Sequence, residues 1–459
     1  MKRSQTIDFT KGHLLKKLIV FVVPLILSGL LQIFFNGADL IVVGQFAGND
    51  DLAAVGACGS LINLIIGLAL GLSVGGNIVV SVFIGAEDKG MVKKAVDTTI
   101  ATALVCGLMC MLIGVFGARP FLIAMDTPSD VLDKAVVYFR IYFLGVPASM
   151  LYNFCSAILR SAGESKKPLW FLAAAGVTNV VLNLIFVIVF HMGADGVGLA
   201  TAVSQYLSAA LVLRELIKTD GMYKFTPRNF TPSKTVLKRI LSVGIPSGIQ
   251  SIVFSLSNVI IQSSINWFGP EVVAGNAAAN NIEGFVYVAM NAFAVAATTV
   301  VGQNIGAKQY KRIDKVLIES GLLVTAVGLL LGIIVNVFAD PFVRLYCPDS
   351  EAAVACAKTK LLFVALPYFL CGIMEVLAGI LKSCGYAVAS MVISLVCCCG
   401  VRIVWIYTVF QSLRTIESIF ITYIITWLIA IIAFIILYLT KARRKMFALE
   451  KQEKTAVIV

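Results

Sequence analysis

Acidic and amide side chains stand in this sequence inside stretches otherwise made of Leu, Ile, Val and Phe. Gln32, Asn36 and Asp39 follow one another at +4 and +3, so a helix carries them on one face. An acid at the middle of a bilayer costs about 2.5–3.5 kcal/mol on insertion scales, and it is by default a functional candidate facing protein or water. Such a carboxylate can exchange a proton, or hold Na⁺ when ionised. The plainer alternative is an Asp39 at the outer end of its span that merely reaches water. Asn179 and Asn183 are four apart, again on one face, and their carbonyl oxygens are hard ligands of the kind that suit Na⁺. Equally, they can serve as hydrogen-bonding glue between helices.

The second half carries two longer polar stripes. One is Ser251, Ser255, Asn258, Gln262 and Asn266; the other is Asn276, Asn280, Glu283, Tyr287 and Asn291. Both run at +4, +3, +4, +4, one face of a helix. Two such faces suggest a shared water-filled cavity, in which Glu283 offers an anionic group to a cationic substrate, a proton, or both. Glu375 is a second acid. Arg402 is a cation able to neutralise either, in which case one of them is a structural ion pair. Only two histidines occur, His13 and His191, and no HExxH, nucleophile elbow, phosphate loop or dinucleotide glycine pattern is present. The expectation is a protein that is not an enzyme and needs no cofactor, whose uphill work draws on a gradient of H⁺ or Na⁺. The eleven cysteines show no paired CxxC spacing. Cys397, Cys398 and Cys399 read as small hydrophobes. Cys347 and Cys356 flank a loop and are the one pair with a case for a disulfide.

The elements that hold these residues follow from composition. Of 459 residues, 59% are hydrophobic and only 14% charged, with mean hydropathy +0.93. Soluble domains carry about 45–50% apolar and about 25% charged residues. The expected solvent is therefore lipid, and a span needs about 20 mainly apolar residues. Twelve are marked: 18–45, 52–84, 92–117, 133–160, 168–190, 196–217, 237–267, 273–304, 316–338, 356–381, 388–411 and 417–440. The runs are continuous rather than alternating, which excludes a barrel. Loop charges give the orientation. One side holds Lys2, Arg3, Lys11, Lys16, Lys17, then Lys89, Lys93, Lys94, then Arg160, Lys166, Lys167. It continues with the 214–239 connection, Lys308 to Lys315, Lys382 and the tail from Lys441. The other side holds little beyond Arg119, Arg344 and Arg414. Both termini are expected in the cytoplasm, which agrees with an even number of spans. The net charge of +12 then reports orientation and the bilayer, not a nucleic-acid partner. The apolar run after Lys17 is too long for a signal peptide.

An internal repeat organises the spans. Pro24 and Pro246 are 222 residues apart, as are Asn36 and Asn258. Ile84-Gly85-Ala86 recurs 221 later as Ile305-Gly306-Ala307, and Pro147 recurs 220 later as Pro367. Leu159-Arg160-Ser161-Ala162-Gly163 recurs 222 later as Leu381-Lys382-Ser383-Cys384-Gly385. Each half has an even number of spans, so the halves share one orientation. Transporters of this build place their site between the halves and rock one against the other. The fold class expected is all-α integral membrane, twelve transmembrane helices in two six-helix lobes. The lobes are 1–217 and 237–440, joined by a cytoplasmic linker at 218–236 and followed by a basic tail at 441–459. Pro24, Pro147, Pro246 and Pro367 are either static kinks or hinges for the access change.

Twelve spans in two like-oriented halves also describes the major facilitator proteins, but GAEDKGMVKKA between spans 2 and 3 does not fit their loop pattern. The sequence instead resembles the multidrug and toxic compound extrusion (MATE) family along nearly the whole chain. Asn179–Gln205 (NVVLNLIFVIVFHMGADGVGLATAVSQ) is similar to that family's N-x-x-L-[DN]…G-x-x-G-x-A-x-A-T-x-x-[SA]-Q pattern. Pro24 with ADLIVVGQFAG, LRSAGESKKP at 159–168 and VGQNIGA at 301–307 resemble three further family elements. The resemblance implies a V-shaped pair of lobes that exports small amphipathic or cationic drugs and dyes from the cell membrane against H⁺ or Na⁺ entry. It also implies a first-lobe cation site, a possible Na⁺ site, at Asp39, Asn179, Asn183 and Thr201. Position 183 is often Asp in the family, so the site here holds one carboxylate and its charge suits one monovalent ion. Another branch couples through acids in spans 7 and 10. Span 7 has none here, and Glu375 stands about one turn beyond the family position. A monomer is expected to suffice. The rival within the wider superfamily is a flippase for lipid-linked saccharides, against which twelve spans and Glu283 argue. An integral-membrane enzyme or a receptor scaffold is the rival from another class.

Overall fold

The computed structural model describes residues 6–458; Lys2 and Arg3 of the expected charge pattern and Val459 of the tail lie outside them. Among the described residues there is no strand. The long helices are α1 (Leu14–Ala47), α2 (Asn49–Gly85), α3 (Lys89–Ala124), α4 (Ser129–Ser161), α5 (Lys166–Val189) and α6 (Ala194–Lys218). They continue with α7 (Lys234–Asn266), α8 (Pro270–Gly306), α9 (Tyr310–Val337), α10, α11 (Ala387–Leu413) and α12 (Ile416–Glu453). Here α10 has two arms, Glu351–Ala365 and Tyr368–Ser383, bent by 41°. Eleven helices are long and apolar enough to cross a membrane, and twelve if the bent pair is one span.

Sequence sets the ends of these helices. Asp88 accepts the Met91 N–H at 3.0 Å to start α3, Ser350 that of Ala353 at 3.2 Å to start α10, and Thr415 that of Ser418 at 3.4 Å to start α12. The repeated glycines Gly163 and Gly385 follow α4 and α10 with φ of +80° and +91°, a region that any Cβ makes costly. Pro24, Pro147 and Pro246 lie inside α1, α4 and α7, whereas Pro367 sits at the break between the two arms of α10.

The chain divides into two compact units. Unit 1 holds the segment ending at Asp8 together with Val23–Gly248; unit 2 holds Phe9–Val22 and the chain from Ile249 onward. In unit 1, α4 is the central helix, packed on α2, α3 and α6, with Phe139, Phe143, Val146, Met150 and Phe154 fully buried. Lipid is as apolar as these side chains, so close packing rather than expulsion of water holds the helices. Gly75 shows how close: a Cβ there would stand 2.3 Å from the Ile240 carbonyl oxygen of α7. Outward rows stay apolar, as with Val105, Leu108, Met109, Leu112 and Phe116 on α3, and face lipid in a bilayer.

The connection before α7 is docked on unit 1. Buried Asp97 accepts the Thr231 N–H at 2.9 Å, the Thr231 hydroxyl at 3.2 Å and Lys93 at 3.0 Å, and Thr98 accepts the Ser233 N–H at 2.9 Å. In unit 2, α8 and the second arm of α10 form the centre, with α9 and α12 against them. Phe9 is buried there: its N–H donates to Gln303 at 3.2 Å and its carbonyl accepts from Arg312 at 3.1 Å. Helix α12 runs on past residue 440, where Arg443 pairs with Asp314 at 3.2 Å and Glu453 with Lys308 at 3.0 Å. The disulfide considered for Cys347 and Cys356 is not formed. Both are free thiols, and Cys356 is turned into the helix packing, donating to the Val272 carbonyl at 3.5 Å.

Candidate functional site

In unit 1, three helices bring four polar side chains into one ring. Asp39 comes from α1, Asn179 and Asn183 from α5, and Thr201 from α6. The Asn183 amide donates to Asp39 Oδ1 at 2.5 Å and to Asn179 Oδ1 at 3.3 Å. The Thr201 hydroxyl donates to Asp39 Oδ2 at 3.4 Å, and the Asn179 amide to Thr201 Oγ1 at 3.3 Å. Asn179 and Asn183 are buried, while Asp39 and Thr201 are half-buried. Asp39 therefore does not simply end in water; it is the acceptor on which the ring converges.

The donor set fits a monovalent cation or a proton. It consists of one carboxylate, two amide oxygens and a hydroxyl, all hard oxygens. Asn183 Oδ1 is buried and accepts no hydrogen bond, so acceptor capacity inside the ring is left over. Among the described residues, no group of three or more His, Cys, Asp or Glu is placed to hold a metal ion. Gln32 and Asn36 are exposed on α1, outside this ring. Sequence periodicity placed Asn183 and Asn179 on one face but was silent on Thr201, which came only with the family pattern.

The second-half stripes also meet, in unit 2. Glu283 Oε1 on α8 lies 3.3 Å from Lys360 Nζ on the first arm of α10, and the same ammonium donates to Asn280. The Lys360 side chain is 2% exposed and that of Glu283 12%. The ion-pair partner of Glu283 is thus Lys360, which the sequence reading passed over, and the alternative of a direct ion pair with Arg402 is not formed among the described residues. The one available signal was that Lys358 and Lys360 open span 356–381 on the side whose loops hold few other basic residues. Arg402 of α11 lies over the Tyr423 ring at 4.2 Å, with Ser257 at 3.4 Å and Asn258 at 3.5 Å. Gln262 links Asn266 at 2.9 Å and Asn276 at 2.8 Å. Tyr287 is 42% exposed and stacks edge-on against Tyr368 at 6.4 Å. Glu375 is half-buried on the second arm of α10, with no cation in ion-pair contact among the described residues.

One backbone feature common to both clusters was not legible at all. A π-helical turn begins four residues after Asp39 (Val43–Ala47), two after Asn183 (Ile185–Val189) and one after Lys360 (Leu361–Ala365). Another ends two residues before Arg402 (Leu395–Gly400). Such turns widen the helix locally and free carbonyls from the regular ladder, and they recur at functional sites.

The family model described as MatE matches residues 24–185 and 246–408. The probable multidrug resistance protein YpnP of Bacillus subtilis is 31% identical over 85% of this chain and 87% of its own length. The multidrug export protein MepA of Staphylococcus saprophyticus is 21% identical over 96% of this chain and 98% of its own. Among solved structures, a MATE crystal structure covers 98% of this chain and 100% of its own at 22% identity and a TM-score of 0.89. The Vibrio cholerae MATE transporter VcmN covers 94% and 98% at 20% identity and 0.86. These structural likenesses speak for the fold.

Proposed function

The chain belongs to the MatE family of multidrug efflux transporters, and on that premise we propose that it is an antiporter driven by inward H⁺ or Na⁺. The observation that carries the reading is the ring around Asp39: a single carboxylate held by one amide and one hydroxyl inside a membrane helix, with unspent acceptor capacity beside it. The cation enters this ring as cargo. Asp39 supplies its charge, and Asn179, Asn183 and Thr201 supply neutral oxygens. Occupation of the ring changes the balance between outward- and inward-open states only in so far as the two states bind the ion differently. Substrate export and ion entry are then linked through one conformational equilibrium. The substrates are small amphipathic, often cationic compounds, the termini lie in the cytoplasm, and a monomer is the working unit. The π-helical turns beside the ring, together with Pro24, Pro147, Pro246 and Pro367, are the places where the helices give way.

The test is drug resistance and dye efflux in cells expressing the protein or Asp39→Asn. The substitution keeps the shape of the side chain and removes its charge. It is expected to abolish efflux while membrane expression and chromatographic behaviour stay normal. Efflux at the normal rate by a charge-free ring would refute the reading.

A further inference from the structure

Unit 2 buries two cations, Lys360 and Arg402, and of these only Lys360 has a carboxylate within ion-pair distance among the described residues. Lys360 is matched by Glu283 at 3.3 Å. Arg402 is 3% exposed, and among the described residues no carboxylate comes within 4.0 Å of it. Its remaining contacts are weak for a guanidinium: two neutral oxygens at 3.4 and 3.5 Å and the face of Tyr423. Its Nε is buried without any hydrogen-bond partner. A charged group inside a membrane protein is normally paired, and an arginine left with an unpaired buried edge is costly. That edge, Nε with a neighbouring Nη, is the fork that receives a carboxylate or phosphate with two parallel bonds.

The surroundings suit the rest of such a ligand. From Arg402 a run of rings leads outward: Tyr423 and Trp427 at 5.8 Å, Trp427 and Tyr368 at 5.2 Å, then Tyr368 and the exposed Tyr287 at 6.4 Å. Asn258, which touches Arg402, is also exposed, so the guanidinium lies one side chain away from the surface. We propose that Arg402 receives the anionic group, carboxylate or phosphate, of a transported amphiphile whose aromatic body lies along these rings. Among cation-bearing amphiphiles unit 2 thereby favours zwitterions, which carry an anionic group as well, and Glu283 keeps Lys360 from competing for that group. This rests on the reading of the protein as an exporter of amphiphiles, and it names the class of substrate.

The experiment uses full-length protein in phosphatidylcholine nanodiscs. The probes are a xanthene dye bearing a free carboxylate and the methyl ester of the same dye, read by fluorescence anisotropy. Charge-assisted hydrogen bonds of this type are expected to make the carboxylate bind about ten- to a hundredfold tighter than the ester. Arg402→Met should erase that ratio. It should also leave the melting temperature equal or higher, because removing an uncompensated buried charge is neutral or stabilising. If Arg402→Met does not fold, Arg402→Lys decides: it keeps the charge, loses the fork, and should lower the ratio. Equal affinities in the wild type, or a ratio that survives these substitutions, would overturn the proposal. Repetition in discs containing phosphatidylglycerol separates the two sources of the anion. A ratio retained there supports a transported compound, whereas its disappearance assigns the site to a lipid headgroup and overturns the assignment. Gradient-driven export of the ester dye is scored separately, so a working exporter without the preference refutes this inference alone.

Discussion

Asn183→Asp places a second carboxylate against Asp39, at a position where an amide now donates to it at 2.5 Å. Two unit charges about 4 Å apart, at an effective permittivity of about 20, repel by about 4 kcal/mol. A cation or proton captured between them removes that repulsion. The full figure corresponds to about three decades in cation affinity. If relaxation of the ring absorbs half of it, about thirtyfold is left. Asn179 and Thr201 keep their oxygens in place, so the change is one of charge, not of coordination number. The assay is calorimetric titration of the purified variant with Na⁺ at several pH values, alongside melting temperature against NaCl. A ligand at a hundred times its dissociation constant stabilises by about 2.7 kcal/mol, so the melting shift should appear at far lower salt in the variant. A folded Asn183→Asp with unchanged Na⁺ and proton binding would refute the assignment of the ring as the cation site.

Further outcomes follow from the same contacts. Lys360→Met strands the Glu283 carboxylate and should cost about 3–5 kcal/mol. Adding Glu283→Gln should restore most of that loss, so additive losses in a double-mutant cycle would show that the two are not coupled. Asp97→Ala removes the acceptor that holds Thr231 and Lys93. It should cost about 1–3 kcal/mol and speed proteolysis of the 219–233 connection, while an unchanged cleavage rate would count against the docking described. Pro367→Ala restores a backbone donor at the 41° break in α10 and should slow transport without lowering the melting temperature. Wild-type turnover in that variant would make this proline a static kink.

Much of the fold was written in one-dimensional pattern. Hydropathy located the spans because a bilayer imposes a minimum apolar length, and the 220–222-residue offsets announced two similar halves. The repeat extends further than its first matches: Gly48 and Gly269, 221 apart, share φ of +96° before α2 and α8. Periodicity also put Asn179 beside Asn183, since four residues make about one helical turn. What it cannot reveal is the partner across a helix boundary. Lys360 meets Glu283 across 77 positions of sequence, a distance that no stripe on either helix encodes. Arg402 was visible as an anomaly, but its seat on Tyr423 depends on the packing of α11 against α12. The π-helical turns escape for another reason: one extra residue in a turn leaves composition and hydropathy unchanged.

The central claim is that charge on Asp39 links ion entry to export. Its most direct test is dye flux in proteoliposomes under an imposed pH gradient and, separately, an imposed Na⁺ gradient, for the wild type and Asp39→Asn. The account predicts uphill dye movement by the wild type under at least one gradient and none by Asp39→Asn under either, with dye binding retained. Gradient-driven movement by Asp39→Asn equal to the wild type would contradict it.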